Sequence, residues 1–342
     1  MPKVNFQNKN QTDNSLYNHS NNKLNKLTNS ALRQFAKTIR SYIYFNIASI
    51  IIILMETITF LVFVAFFKAS VGVTLALALV FLTFFSYNVI NIYLQNKKTE
   101  QYDNILYDFL KECQQALNLQ EVLIEDNIVL VNNIIHLAEK LEKCTPYYYT
   151  PPKKLSFLKN FLENFSIYFH WSDVNNMREK LLNFASRKYI EIIKDEPTNL
   201  ELHAVLANIY VMESTIHRKD HPLKIWKNKS KSSLQNKKFS KSSKYAIEEF
   251  KILCEYAPQD PWVRAQLAYG YNDLGMYKKQ MTELEIILDM VPNDVDTMFQ
   301  LGSLYFQQGL NAKGLQIYEN MLKLDYDRAC KLIRHYGTNI NA

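Results

Sequence analysis

Cysteine is scarce in this chain of 342 residues, and the few present are scattered. Cys113, Cys144, Cys254 and Cys330 form no C-x-x-C pair. Their spacing excludes the disulfide framework of a small secreted domain and the paired thiolates of a zinc site; they read as small buried hydrophobes in a reducing compartment. The seven histidines are no better grouped. His217 and His221 are one helical turn apart, but no further ligand spacing surrounds them, so no metal is expected. Catalytic signatures are missing too: there is no G-x-x-x-x-G-K-[ST] loop, no H-E-x-x-H helix and no G-x-S-x-G elbow. No cofactor and no catalytic residue are expected, and the chain reads as an interaction protein rather than an enzyme.

Charge is unevenly spread. The net charge is +7, yet residues 1–40 carry +6 and residues 216–244 carry +9, which leaves −8 for the rest. The basicity therefore belongs to two segments. Residues 1–40 are rich in Asn, Lys and Ser and low in apolar side chains until Leu32. A segment of that composition buries too little surface to offset its ordering entropy, so a disordered tail is expected, with Ala31 to Arg40 extending the helix that follows.

That helix belongs to the strongest feature of the chain. A hydrophobic run covers 41–67, breaks at Lys68-Ala69-Ser70, and resumes over 71–94. Crossing a bilayer core takes about 20 apolar residues as a helix, and each run is long enough. The break is too short for anything but a tight turn, so a transmembrane hairpin over 41–94 is expected. Arg33, Lys37 and Arg40 precede the first span and Lys97 and Lys98 follow the second, with only Lys68 in the turn. That bias places both termini in the cytosol or its topological equivalent, as an integral two-pass membrane protein. Glu56 falls near the middle of the first span. A carboxylate there costs about 2.5–3.5 kcal/mol on insertion scales. In a tight hairpin it lies at the depth of Thr83, with Ser86 a turn away. A hydrogen bond that fixes packing, within the hairpin or between copies, is the first reading, and a proton or ion site is the second.

Residues 98–145 read as a helical stalk or hairpin in two pieces. Ile105, Leu106, Phe109, Leu110 and Cys113 form one apolar stripe, and Leu130, Ile134, Leu137 and Leu141 a second with coiled-coil-like spacing. Thr145-Pro146 and Thr150-Pro151-Pro152 mark a linker over 146–154. Helical periodicity resumes near Leu155, and Ser172-Asp173 is a candidate cap for a further helix.

The C-terminal half repeats with a fixed spacing of 34 residues: Pro258 and Pro292, then Tyr326; Phe250, Leu284, Tyr318; Leu267-Ala268 and Leu301-Gly302; Tyr271 and Tyr305; Gly275 and Gly309. Such a period in a helical pattern signals a helix–turn–helix solenoid. The small residue (Ala268, Gly302) lets the two helices of a unit approach, the aromatic fills the space beside it, and the glycine makes the turn. Leu206, Ala207 and Tyr210 repeat the pattern at a spacing of 61, an excess of 27 residues. The lysine-rich segment 216–243 nearly accounts for that excess, so it is expected as a loop inserted in the turn of that unit. A fourth unit, with Ala185, Tyr189 and Ile192 in phase, ends at Pro197, and Ala329 to His335 should close the last apolar face.

These residues resemble the tetratricopeptide repeat (TPR) family over 155–336, with the specific motifs from 200 onward. Gln280 and Tyr326 depart from the family pattern. The expected fold class is all-α: a two-helix transmembrane hairpin, a helical stalk and a C-terminal helix–turn–helix solenoid of the TPR kind. The resemblance implies a concave groove lined by the first helix of each unit. Projected onto this chain, the groove presents Glu201, Asn208, Trp262, Tyr269, Asn272, Asp273, Asp296, Phe299 and Phe306. The basic residues with which such repeats grip a peptide carboxylate are replaced here by Ala204 and Asp296, and Asn208 alone matches. An aromatic, mildly acidic groove suits an apolar or basic peptide helix.

The basic segment (Lys224, Lys227, Lys229, Lys231, Lys237, Lys238 and Lys241, with Trp226 and Phe239 among them) reads first as a solvated insertion, then as a contact for anionic lipid, and last as a weak nucleic-acid site. The chain is thus expected to be a membrane-anchored adaptor that recruits a protein or peptide partner. Two other readings stand beside it. The polar N-terminus and bilobed hairpin resemble the inclusion-membrane proteins of intracellular bacteria, which implies a type III-secreted effector. An accessory subunit of a membrane transporter or enzyme, with Glu56 as its working group, is the other.

Overall fold

A computed structural model describes residues 7–67, 71–117, 124–143, 159–218 and 233–337. The turn at Lys68-Ala69-Ser70, the linker 146–154 and the middle of the basic segment lie outside the described residues. Among the described residues every regular element is helical, and the chain is all-α. Two compact units divide it: the described residues up to Ala185, and those from Ser186 onward. The boundary falls inside a helix, some 30 residues beyond the expected start of the repeat domain at 155.

The first unit is built on two long helices, α1 (Gln7–Phe67) and α2 (Val71–Leu117). At 1.5 Å per residue they reach about 90 Å and 70 Å. Both are long and apolar enough to cross a membrane, and none of the most apolar stretch of either is buried. Leu54, Met55, Phe66, Phe81 and Phe85 point outward. Exposed apolar side chains in such number call for a cover, either a surrounding apolar phase or further protein.

Helix α1 corrects the expectation of a disordered tail over 1–40. Residues 7–40 are helical and continuous with the span. Thr28, Ala31, Phe35, Ile39, Tyr42 and Ile43 are buried at spacings of three and four, one face of the helix. The composition is polar, but the few apolar residues fall in register with a partner. That partner is α2 beyond its own span, where Tyr102, Ile105, Phe109 and Cys113 are buried. Phe35 meets Tyr102 at 5.4 Å between ring centroids, and Tyr42 Oη donates to Gln101 Oε1 at 2.7 Å. Burial and the neighbouring Glu112 carboxylate push the Cys113 thiol up to about 12, leaving it a packing group.

Helix α3 (Ile124–Lys143) buries Leu130, Ile134, Leu137 and Leu141. Helix α4 (Lys159–Asp195) runs unbroken through Ser172-Asp173, which therefore cap nothing. Asp173 is engaged elsewhere: Lys98 Nζ donates to it at 3.0 Å and His170 Nδ1 lies at 3.1 Å. Burial would raise this carboxyl, but the bonds to His170 and Lys98 prevail and hold it below the usual carboxylate range. Arg178, almost fully buried, bonds Glu142 of α3 at 2.8 Å, and Lys180 pairs with Asp103 of α2. These ties explain why 159–185 belongs to the first unit.

The second unit runs α5 (Leu200–Arg218), α6 (Ser233–Tyr256), α7 (Pro261–Asp273), α8 (Tyr277–Met290), α9 (Val295–Gln307), α10 (Asn311–Leu322) and α11 (Tyr326–Leu332), followed by a 3-10 turn over 333–335. Asp260 and Asp294, 34 residues apart, start α7 and α9 by accepting from Trp262 N and Asp296 N. Gly275 and Gly309, also 34 apart, turn the chain between paired helices with φ of +68° and +74°. Only glycine takes that conformation without strain. A core of Ala268, Leu284, Ile287, Leu301, Leu304 and Tyr305 joins α7, α8 and α9. Gly302 is small for a reason: a Cβ there would meet Leu332 at 2.8 Å and Ile317 at 3.1 Å. Leu332 and Ala329 seal the far end against Met298, Phe306 and Met321.

The split unit departs from expectation. The first helix of the pair, α5, is 19 residues against 13 in α7, and α6 is 24 against 14 in α8. So sixteen of the 27 extra residues lengthen helices, and 233–243 is not a loop. The extension is held by polar packing: Ser242 and Ser243 are buried, and Ser242 Oγ donates to Glu213 of α5 at 3.3 Å.

Candidate functional site

The first helices of the repeat pairs carry the candidate surface. Their buried residues (Leu206 and Ala207; Leu267 and Ala268; Leu301 and Gly302) face the core, which turns the next position of each turn outward. Trp262 and Tyr269, one after the other along α7, are 54% and 51% exposed. Each is braced on one side. Trp262 meets Phe250 of α6 edge-on at 6.1 Å, and Tyr269 Oη accepts from Gln300 Nε2 of α9 at 3.4 Å. Asn272 is exposed on the same helix, and Glu201 and Asn208 are exposed on α5.

The acidic residues are not bare. Asp273 of α7 pairs with Arg218 of α5 at 2.7 Å, and Asp296 of α9 pairs with Arg328 of α11. With the Gln300–Tyr269 bond, each successive pair of first helices is joined by one polar contact. Each arginine offsets a carboxylate, but Glu201 is exposed and Arg328 is shared with Asp325 at 3.5 Å, so the acidity of the surface is reduced and not removed. Sequence reasoning missed both arginines, which lie 55 and 32 residues from their partners.

Two expected groove aromatics lie elsewhere. Phe299 is half-buried and meets the His335 ring edge-on at 6.0 Å, under the closing turn. Phe306 is a core residue, 1% exposed, with Tyr336 at 5.5 Å. Its ring fills the space over Gly314, where an added Cβ would fall 2.5 Å from it. A signal for this was present. One repeat earlier the same two positions are Asn272, exposed, and Gln280, buried. The pair exchanges a small outer and a large inner residue for the reverse, which marks them as packing partners.

Behind this surface, His203 of α5 faces Glu249 of α6 at 2.7 Å through Nδ1 and the Pro197 carbonyl at 3.0 Å through Nε2. Burial alone would lower its pKa. Both nitrogens point at acceptors, however, so the Glu249 and Pro197 bonds prevail and raise it.

In the hairpin, Thr83 Oγ1 donates to Glu56 Oε1 at 3.0 Å, and Ser86 is half-buried one turn on. Glu56 Oε2 is buried and accepts no hydrogen bond among the described residues. Of the basic segment, Lys237, Lys238 and Lys241 lie on the first turns of α6, with Lys241 over the Tyr245 ring at 5.5 Å. Lys224, Lys227, Lys229 and Lys231 lie outside the described residues. Among the described residues no group of three or more His, Cys, Asp or Glu is placed to hold a metal.

No family model matches the chain, and no curated protein matches it. Several solved structures are similar to it in part, among them two of MamA. One is a MamA RS-1 ArsTM double mutant, at 11% identity and TM-score 0.31, covering 69% of this chain and 95% of that one. The other is MamA 41-end from Desulfovibrio magneticus RS-1, at 12% identity and TM-score 0.32, covering 67% of this chain and 96% of that one. At those scores the likeness extends to neither family nor function.

Proposed function

We propose that the chain is a membrane-anchored scaffold of the tetratricopeptide kind, which recruits a protein partner through the first-helix face of its C-terminal unit. The anchor is the hairpin of α1 and α2, crossing the bilayer twice with both termini on the cytosolic side. The observation that carries the recruiting role is the exposed pair Trp262 and Tyr269. Two large aromatics two turns apart on one helix, half exposed and each braced by a neighbouring repeat, are the residue types that dominate binding hot spots. The aromatic surroundings, with their acidity partly offset, favour an apolar or basic helical face as ligand. Replacing both by alanine is expected to abolish capture of that partner in cells, with membrane integration and thermal unfolding unchanged. Undiminished capture would refute the reading.

A second reading draws on Glu56. A buried carboxyl oxygen with no hydrogen bond invites a donor from another chain, as in an accessory subunit of a membrane complex. Glu56→Gln would then disrupt the activity of that complex while leaving the scaffold's own partner bound.

A further inference from the structure

The stretch of α1 just before its apolar run carries three cations that the fold leaves unused. Arg33, Lys37 and Arg40 are exposed, and among the described residues none has an ion pair or hydrogen bond. The contrast with the end of the second span is direct. Lys98 is spent on Asp173 at 3.0 Å and lies over the Tyr42 ring at 4.8 Å, and Lys97 lies over Tyr93 at 5.8 Å. The unused cations are also aligned. At 100° per residue, positions 33, 37, 40 and 44 fall within about 60° around the helix axis. Ala36 and Ser41 flank them on the same open face of α1.

We propose that this face of α1 binds the phosphate-bearing headgroup of an anionic phospholipid. The proposal rests on the reading of α1 as a membrane span. Depth supports it: from Arg40, at the edge of the apolar run, back to Arg33 is about 10 Å of helix, close to the thickness of one headgroup layer. The shape of the face supports it as well. Beyond Tyr44, the same face of α1 carries Ile51, Met55 and Ile58, all more than half exposed. Cations, then a hydroxyl and a tyrosine, then aliphatic side chains match a phosphate, a glycerol-ester region and an acyl chain in order. A free phosphate ion would use only the first part. Guanidinium groups fork onto phosphate oxygens, and the lysine adds a point charge between them. Near the bilayer surface each such charge adds about fivefold in affinity, so three add on the order of a hundredfold.

The test uses the full chain reconstituted with equal phosphatidylcholine and phosphatidylglycerol, with retained lipid counted by native mass spectrometry. The wild-type chain is expected to keep phosphatidylglycerol in preference to phosphatidylcholine by one to two orders of magnitude. The Arg33→Gln/Lys37→Gln/Arg40→Gln variant is expected to lose that preference. Lys278→Gln/Lys323→Gln/Lys331→Gln, which removes as much charge from the second unit, is expected to keep it. Equal retention of the two lipids by the wild type, or an unchanged preference in the first variant, would overturn the proposal. So would full displacement of the lipid by millimolar inorganic phosphate, which would mark a simple anion site. Resistance to alkaline extraction is read in parallel. A chain that integrates but shows no lipid preference leaves the anchor standing and removes the site; a chain that fails to integrate removes both.

Discussion

His203 couples the second unit to pH. Its folded-state pKa is raised above the ordinary value of 6.5 by the Glu249 and Pro197 bonds, which prevail over burial. The imidazolium therefore contributes stability that is fully present below about pH 6.5 and is lost as pH rises through the higher folded-state value. Protection of the α5 and α6 amides, taken relative to the intrinsic base-catalysed exchange rate at each pH, should fall over that interval, and His203→Gln should flatten the dependence; an equally steep dependence in the variant would contradict the assignment. Arg178 makes a second residue-scale case. Its buried guanidinium, paired with Glu142, is expensive to desolvate. Arg178→Ala, which leaves a void and strips Glu142 of this partner, is expected to cost about 2–4 kcal/mol. Arg178→Met, which keeps most of the volume, should cost clearly less. Thermal unfolding of the two variants in the same detergent checks the order.

Elements here are set by size complementarity as much as by pattern. Gly314 and Phe306 are the sharpest instance: Gly314→Ala drives a Cβ into a rigid ring, and overpacking of that kind costs about 1–3 kcal/mol. A second change, Phe306→Leu, should recover most of the loss. Failure to recover would show that the strain lies in the backbone. The 34-residue spacing of Gly275 and Gly309 made both turns legible in the sequence, because only one residue type serves a positive φ. The hydrophobic runs were legible for the same reason: one solvent explains them. What was hidden depends on partners distant in sequence. The tail before residue 41 is polar by composition, yet its sparse apolar residues meet the stripe of α2. The start of α6 is lysine-rich, yet Ser242 is drawn inward by Glu213. The offsetting of acidic charge on the proposed recruiting surface depends on Arg218 and Arg328, which no local pattern ties to Asp273 and Asp296.

On the scale of the whole molecule, the chain joins a hairpin that leaves its apolar side chains uncovered to a unit of helix pairs that leaves several aromatics uncovered, Trp262 and Tyr269 among them. In the proposed function, each exposed surface meets a different environment, bilayer for one and protein for the other. The most direct measurement places a photo-cross-linking amino acid at position 262 or 269 of the full chain in cells, and, for comparison, at Lys278 and Lys279 on α8. The account predicts that 262 and 269 yield the same cross-linked partner in the membrane fraction and that 278 and 279 do not. Partners captured equally from all four positions, or from α8 alone, would contradict it.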